Sequence, residues 1–459
     1  MPLINSKILF TVFKFALLTL VSNSSFIYYS SEIDFFSLQI LERIPNSDLS
    51  IEDNSIQINF RDQEKINDSL NSPNVETDTL VVKENKRTVY IDSEGFTVKN
   101  GDRIFPLGVF MGSSGSTDNE NLSRISEAGF NTILCYGYGT GPHQERFLNR
   151  AADNGLHVVY SLKDKYPKNR NGNMDYFLRA TETQVKRLRN HDALLAWYIN
   201  DEMGTSWIPL ISQLYNKVKE HDQNHPTLQV LYQEDILAQY RDITDILAMD
   251  SYNIGAEDLT QSSRRARLSM DAMRGENNEN IKKGVWQVPQ IYDKSVYHAD
   301  RESRIPTRDE IKTQTYQAII EGARGIIFYS YHDLFREKNK KGKINDQEHF
   351  NKRLDDIKLA VSDIKSLVDL VLVGEIRKDF IKIRESQDVK DLTIFYNENI
   401  YLVISNPFYD ERNITIEVPS QYMVDDFIQG EIRMKQDGDI VKLKIPATYS
   451  GIVKFIKKD

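Results

Sequence analysis

The sequence predicts an α/β fold, a closed (β/α)8 TIM barrel, followed by a small antiparallel β-sandwich domain. Three observations carry that expectation. Eight short apolar runs recur at 104–112, 131–137, 156–163, 194–200, 226–232, 245–251, 284–291 and 325–331, each of strand length. Amphipathic segments separate them: Trp207, Ile211, Leu214 and Val218 share one helical face, and Ile311, Ile319, Ile320 and Ala323 another. From Glu375 onward helical spacing gives way to the alternating runs DLTIFYN, IYLVISN, ITIEVP, GEIRMK and IVKLKIP, broken by Asn, Asp and Gly. Eight strand–helix units over about 290 residues match a barrel in count and length. An open doubly wound sheet would carry a Gly-rich phosphate turn after its first strand, and GVFMGSSGS fits that pattern badly.

Taken in order, residues 1–25 have the layout of a secretory signal. Lys7 and Lys14 precede the apolar stretch Phe15 to Val21, and small polar residues follow. The stretch is short for a membrane span, so an uncleaved amino-terminal anchor is the lesser reading, and the chain is expected to be secreted, periplasmic or held at the cell surface. Residues 26–86 are rich in Asn, Asp, Ser and Glu and read as an irregular linker. The barrel is expected over 87–374. It opens with short strands turning at Ser93-Glu94-Gly95 and at Asn100-Gly101. Gly129 and Gly155 fall just past helix ends, where a left-handed cap is wanted. A final helix puts Leu354, Ile357, Val361, Ile364 and Val368 on one face. The β domain, 375–459, is expected mainly to pack on the barrel.

Composition narrows the function classes. A 459-residue chain with 40% hydrophobic and 27% charged residues has material for a large core. Its net charge of −9 argues against a general nucleic-acid binder, which needs a basic footprint. The single cysteine, Cys135, closes the run NTILC and reads as a small buried hydrophobe.

In a parallel barrel the carboxyl ends of all strands gather on one face, so the last residues of each run become neighbours. They include Tyr136, Tyr138, Asn200, Asp201, Glu202, Tyr232, Asp250, Tyr252, Trp286, Gln290 and Tyr331. Such a cleft is rich in aromatics, amides and carboxylates, poor in cations and without metal-ligand spacing. It suits a neutral polyhydroxylated ligand, with no cofactor and no metal. Trp197 and Tyr198 are adjacent on the fourth strand, so one faces inward and the other outward, both expected in the core. Arg324 precedes its strand and reads as structural.

Three segments resemble the retaining (β/α)8 glycoside hydrolase superfamily. VYIDSEGFTVKNGDRIFPLGVF is similar to the entry hairpin and first strand of those enzymes. LLAWYINDEM resembles their fourth strand with its Asn-Glu or Asp-Glu ending. RIPTRDEIKTQTYQAIIEGARGIIFYSYHD resembles their seventh helix and eighth strand. The resemblance spans about residues 88–372 and implies an oligo- or polysaccharide substrate and Glu202 as general acid/base. Asp201 would tune it or orient the sugar. The chain departs from the family at strand seven, where VWQVPQIYD offers Gln290 in place of a glutamate. The second group is then Asp293 from the loop, Asp250 from strand six, or an acetamido group of the substrate polarised by Asp201. An inverting pair with Asp250 would need a gap of about 6.5–9.5 Å. The competing expectation is a catalytically inactive carbohydrate-binding protein on the same scaffold.

Overall fold

A computed structural model of the chain describes residues 25–29, 47–52, 55–60 and 88–458. Within that last span 113–117, 137–141, 164–172, 256–257, 275–281, 298–303, 336–346, 378–379, 386–387 and 431 are not described. Tyr138, and the expected leader up to residue 24, therefore lie outside the described residues. The chain divides into two units, Met1–Glu84 and Asn85–Asp459. In the first, the span read as irregular holds three strands: β1 (Ser25–Tyr29), β2 (Ser47–Glu52) and β3 (Ser55–Phe60). They pair antiparallel in the order β1-β3-β2. SDLSIE and SIQINF alternate polar and apolar residues and are separated by two residues in sequence, a hairpin signal that the polar surroundings masked.

The second unit opens with β4 (Val89–Ile91), β5 (Thr97–Lys99) and β6 (Asp102–Ile104), an antiparallel triplet. Its second turn is the expected Asn100-Gly101, with φ of 55° and 98° at its two residues. Positive φ at both centres matches the twist of a tight hairpin, which is why Asn-Gly is favoured there. The barrel strands follow: β7 (Leu107–Gly112), β8 (Thr132–Cys135), β9 (His157–Ser161), β10 (Leu194–Asp201), β11 (Thr227–Leu231), β12 (Ile246–Ser251), β13 (Gly284–Pro289) and β14 (Ile326–Phe328). All pair in parallel and close in the order β10-β11-β12-β13-β14-β7-β8-β9. Every expected strand is present within a few residues.

Helices α1 (Asn119–Glu127), α2 (Pro142–Asp153), α3 (Met174–Leu188), α4 (Ile208–His221), α5 (Thr260–Arg274), α6 (Arg308–Ile320) and α7 (Gln347–Val373) surround the barrel. Gly129 and Gly155 take φ of 93° and 70° past α1 and α2, the left-handed caps their positions asked for. Two expectations change. After β11 the connection is a 3-10 segment, Leu237–Ile243, in place of a full helix. And α6 is not amphipathic, since every residue from Glu310 to Ile320 is buried.

The cause of that burial is the β domain. A five-stranded sheet, in the order β15-β17-β18-β23-β20, comprises β15 (Glu375–Ile376), β17 (Lys390–Tyr396), β18 (Asn399–Asn406), β20 (Tyr422–Gln429) and β23 (Tyr449–Lys457). It faces a four-stranded sheet, β16 (Lys382–Glu385), β19 (Arg412–Glu417), β22 (Ile440–Ile445) and β21 (Arg433–Asp437). Leu402, Ile404, Ile416, Leu443, Val453 and Phe455 form the shared core of this sandwich. Its five-stranded sheet lies on α6 through polar contacts. Thr313 and Ser450 hydroxyls are 3.2 Å apart, and Tyr316 Oη donates to Gln429 Oε1 at 2.8 Å. α6 is therefore covered by barrel on one side and sandwich on the other.

Candidate active site

Strand β10 sets the site. Its side chains alternate, so Trp197 points outward and donates Nε1–H to Asp222 at 2.8 Å, while Tyr198 points into the barrel. Tyr198 Oη donates to Asp201 Oδ1 at 2.6 Å, and Lys163 Nζ lies 2.7 Å from Asp201 Oδ2. The same ammonium sits 4.3 Å from the Tyr136 ring centroid, so Asp201 and Tyr136 are pinned by one cation. Asn200 is fully buried. It donates to Gln229 Oε1 at 3.0 Å and accepts from Met203 N–H at 3.1 Å, closing the turn at the strand end.

Glu202 follows with φ of +59°. A left-handed glutamate is uncommon and costs on the order of 1–3 kcal/mol, so its neighbours must impose it. One of them is β11, whose Val230 carbonyl accepts the Glu202 N–H at 2.8 Å. The result is a carboxyl group turned toward β12 and hydrogen-bonded to Asp250.

Asp250 is 5% exposed. Burial, then the hydrogen bond and charge of Glu202 and the charge of Asp201, hold its carboxyl well above the usual range. The Tyr252 hydroxyl pulls weakly the other way. Asp250 and Glu202 thus form a two-carboxyl pair in which burial and like charge favour the neutral form of Asp250. They face the cleft together from one side.

The cleft holds about 700 Å³ and lies over the carboxyl ends of the strands. Its floor is a chain of rings, with centroids 5.7 Å apart for Phe110 and Tyr136, 5.4 Å for Phe110 and Tyr329, and 5.7 Å for Tyr329 and Tyr252. Tyr292 continues it 5.3 Å from Tyr329, and Tyr232, 48% exposed, stands on the rim. Burial raises the Tyr136 hydroxyl well above its ordinary value and pushes Tyr329 up to about 12, so both stay neutral donors.

Of the residues singled out in the sequence, Glu202, Asp201, Asp250, Tyr136, Tyr232 and Tyr252 line this cleft. The others are placed elsewhere. Asp293 accepts from Ser295 N–H at 2.9 Å and Ser295 Oγ at 2.7 Å, capping a single 3-10 turn. Trp286 is fully buried inside the barrel beneath Gly325, where an added Cβ would meet the indole at 2.6 Å. Gln290 is fully buried, accepting from Ile254 N–H at 3.2 Å and donating to the Tyr292 carbonyl at 2.8 Å. Tyr331 lies past the strand end, donates to Asn121 at 2.6 Å and packs on Phe350. Arg324, buried at the opposite face, donates to the Ala323 carbonyl at 3.0 Å, as its position before β14 implied.

Sequence reading missed Phe110, Tyr329, Tyr292, Lys294, Tyr297, Gln261 and Arg265, which also line the cleft. Phe110 and Tyr329 sit at strand ends and were within reach of the same rule. The other five lie on α5 and on the loop after β13, where no periodicity marks them. Among the described residues no group of His, Cys, Asp and Glu could hold a metal ion. None of their helices is long and apolar enough to cross a membrane.

No family model matches the sequence, and no curated protein matches it. Solved structures do. A protein described as a glycoside hydrolase matches at 14% identity and a TM-score of 0.57, over 81% of this chain and 98% of that one. A family 5 glycoside hydrolase from Bacteroides vulgatus matches at 12% identity and a TM-score of 0.61, over 82% and 95%. At such identities the likeness is one of fold.

Proposed function

We propose that this chain is an exported glycoside hydrolase cleaving O-glycosidic bonds in an oligo- or polysaccharide, with Glu202 as its general acid/base. The observation that carries the reading is the Glu202–Asp250 carboxyl pair opening onto an aromatic cleft. Glycoside cleavage needs a proton donor near neutrality beside a platform for sugar faces. Glu202 is the member open to the cleft, so the pair's proton passes through Glu202 to the glycosidic oxygen as its bond to the anomeric carbon breaks, and the water that adds at that carbon returns a proton to Glu202. Asp201, pinned by Tyr198 and Lys163, supplies a carboxylate for a sugar hydroxyl or a developing positive charge at the anomeric carbon. The fold of the two matching hydrolases agrees with this reading, and the Lys7 to Ser25 pattern supports export.

One observation favours a second reading. Gln290, at the depth of the strand-seven glutamate, is an amide turned into the wall, which suits a carbohydrate-binding protein without catalysis. The deciding experiment is hydrolysis of a panel of aryl glycosides and polysaccharides by the wild type and Glu202→Gln. Activity that falls by about 10²–10⁴ in a folded variant supports the enzyme. Sugar binding without turnover in both proteins supports the binder.

A further inference from the structure

Arg265 holds the acid pair from behind. It lies in α5, lines the cleft, and its side chain is 14% exposed. One guanidinium N–H, on Nη1, donates to the backbone carbonyl of Asp250. Nε donates to Glu234 Oε1 at 3.0 Å, and the other oxygen of Glu234 takes Arg264 Nη1 at 2.5 Å. Glu234 follows β11, Asp250 lies in β12 near its end, and Arg265 stands on the helix after β12. One rigid, planar cation therefore ties the connection after β11, the end of β12 and the helix after β12 at the mouth of the barrel. The root of α5 is fixed as well: Leu259 N–H donates to the Pro407 carbonyl at 3.0 Å, and Asp258 bridges to Phe408 of the sandwich.

We propose that Arg265, oriented by Glu234, is a positioning residue that sets the Asp250 carboxyl against Glu202. The proposal rests on the hydrolase reading for its kinetic consequence, but its geometry stands without it. The Asp250 carboxyl faces Glu202 and Asp201 from β10 and the hydroxyls of Tyr136, Tyr252, Tyr292 and Tyr329. Arg265 reaches its main chain, so it governs the place of the carboxyl. A lysine could keep one of the two bonds, and a glutamine loses the ion pair.

The test uses the full chain and its Arg265→Gln, Arg265→Lys and Glu234→Gln variants. Carboxyl titration by carbon NMR on aspartate-labelled protein, with Asp250 assigned through Asp250→Asn, reads the pair directly. Kinetics on the sugar found in the panel read the consequence. Arg265→Gln is expected to bring the Asp250 midpoint down toward the ordinary range and to lower kcat by about 10–100-fold, with KM changed by less than about threefold. Glu234→Gln, outside the cleft, should move both in the same direction by less, and Arg265→Lys should fall between. An unmoved Asp250 midpoint in folded Arg265→Gln overturns the proposal. So does a rise in KM at constant kcat, which would make Arg265 a substrate contact. If the wild type hydrolyses nothing, the hydrolase reading fails and the titration alone still decides Arg265.

Discussion

The two ends of the barrel treat buried charge in opposite ways. At the amino end two acids are matched by donors. Lys219 meets Asp245 at 2.6 Å, and Asp245 also accepts the Thr227 N–H at 2.8 Å. Asp222 takes His225 Nδ1 and Trp197 Nε1, each at 2.8 Å. Burial there pushes the Asp222 carboxyl up, but the bonds from His225 and Trp197 win and hold it below its ordinary value. At the carboxyl end Asp250 is set against Glu202, like beside like, and is driven toward its neutral form. One face of the scaffold pairs its buried acids with donors and the other sets like beside like, the division between a stability face and a cleft face expected of a parallel barrel.

That contrast can be broken at either end. Glu202→Gln should give the largest change, a loss of about 10²–10⁴ in turnover with the unfolding midpoint in place. Asp222→Ala should do the reverse. Two buried donors lose their acceptor, so stability should fall by about 2–5 kcal/mol in denaturant titration, while kcat per folded molecule holds. The pH response sharpens the point. A depressed Asp222 contributes stability above the unfolded carboxylate value of about 4, lost as pH falls through its folded value. Asp250, raised, works the other way: its contribution is full below about 4 and is lost as pH climbs to its folded value. Asp250→Asn should therefore gain stability relative to wild type as pH rises above about 5, by at most about 1.4 kcal/mol per pH unit, even as activity drops. Thermal melts at a series of pH values check it. The smallest effect is expected at the rim, where Tyr232→Ala should raise KM by about two- to tenfold through lost stacking, at near-constant kcat.

The fold was legible because barrel strands are buried on both faces and read as short continuous apolar runs, with Gly129 and Gly155 punctuating the helices. The acid pair was half legible. Glu202 and Asp250 stand in recognisable strand-end positions, but nothing in IND or AMDS says that they touch. Their contact depends on the left-handed turn at Glu202. Trp286 and Tyr331 show the limit of counting strand ends. Trp286 stops three residues short of the rim and fills the barrel instead, and β14 ends at Phe328, so Tyr331 falls beyond the turn. Arg265 and Glu234 belong to a helix and a loop, where only three-dimensional closure brings them to Asp250.

The two-sided burial of α6 bears on how the chain is made. Ribosomes deliver residues in order, and nascent domains usually fold as they emerge. Here the helix before the closing barrel strand needs a cover that includes β23, the latest-made of the described strands and an interior member of its sheet. Until Tyr449–Lys457 has been synthesised, the cover over α6 lacks the strand that joins β18 to β20. Completing the cover of α6 therefore waits on the last described strand, and a stop codon near residue 374 would leave α6 without its sandwich cover.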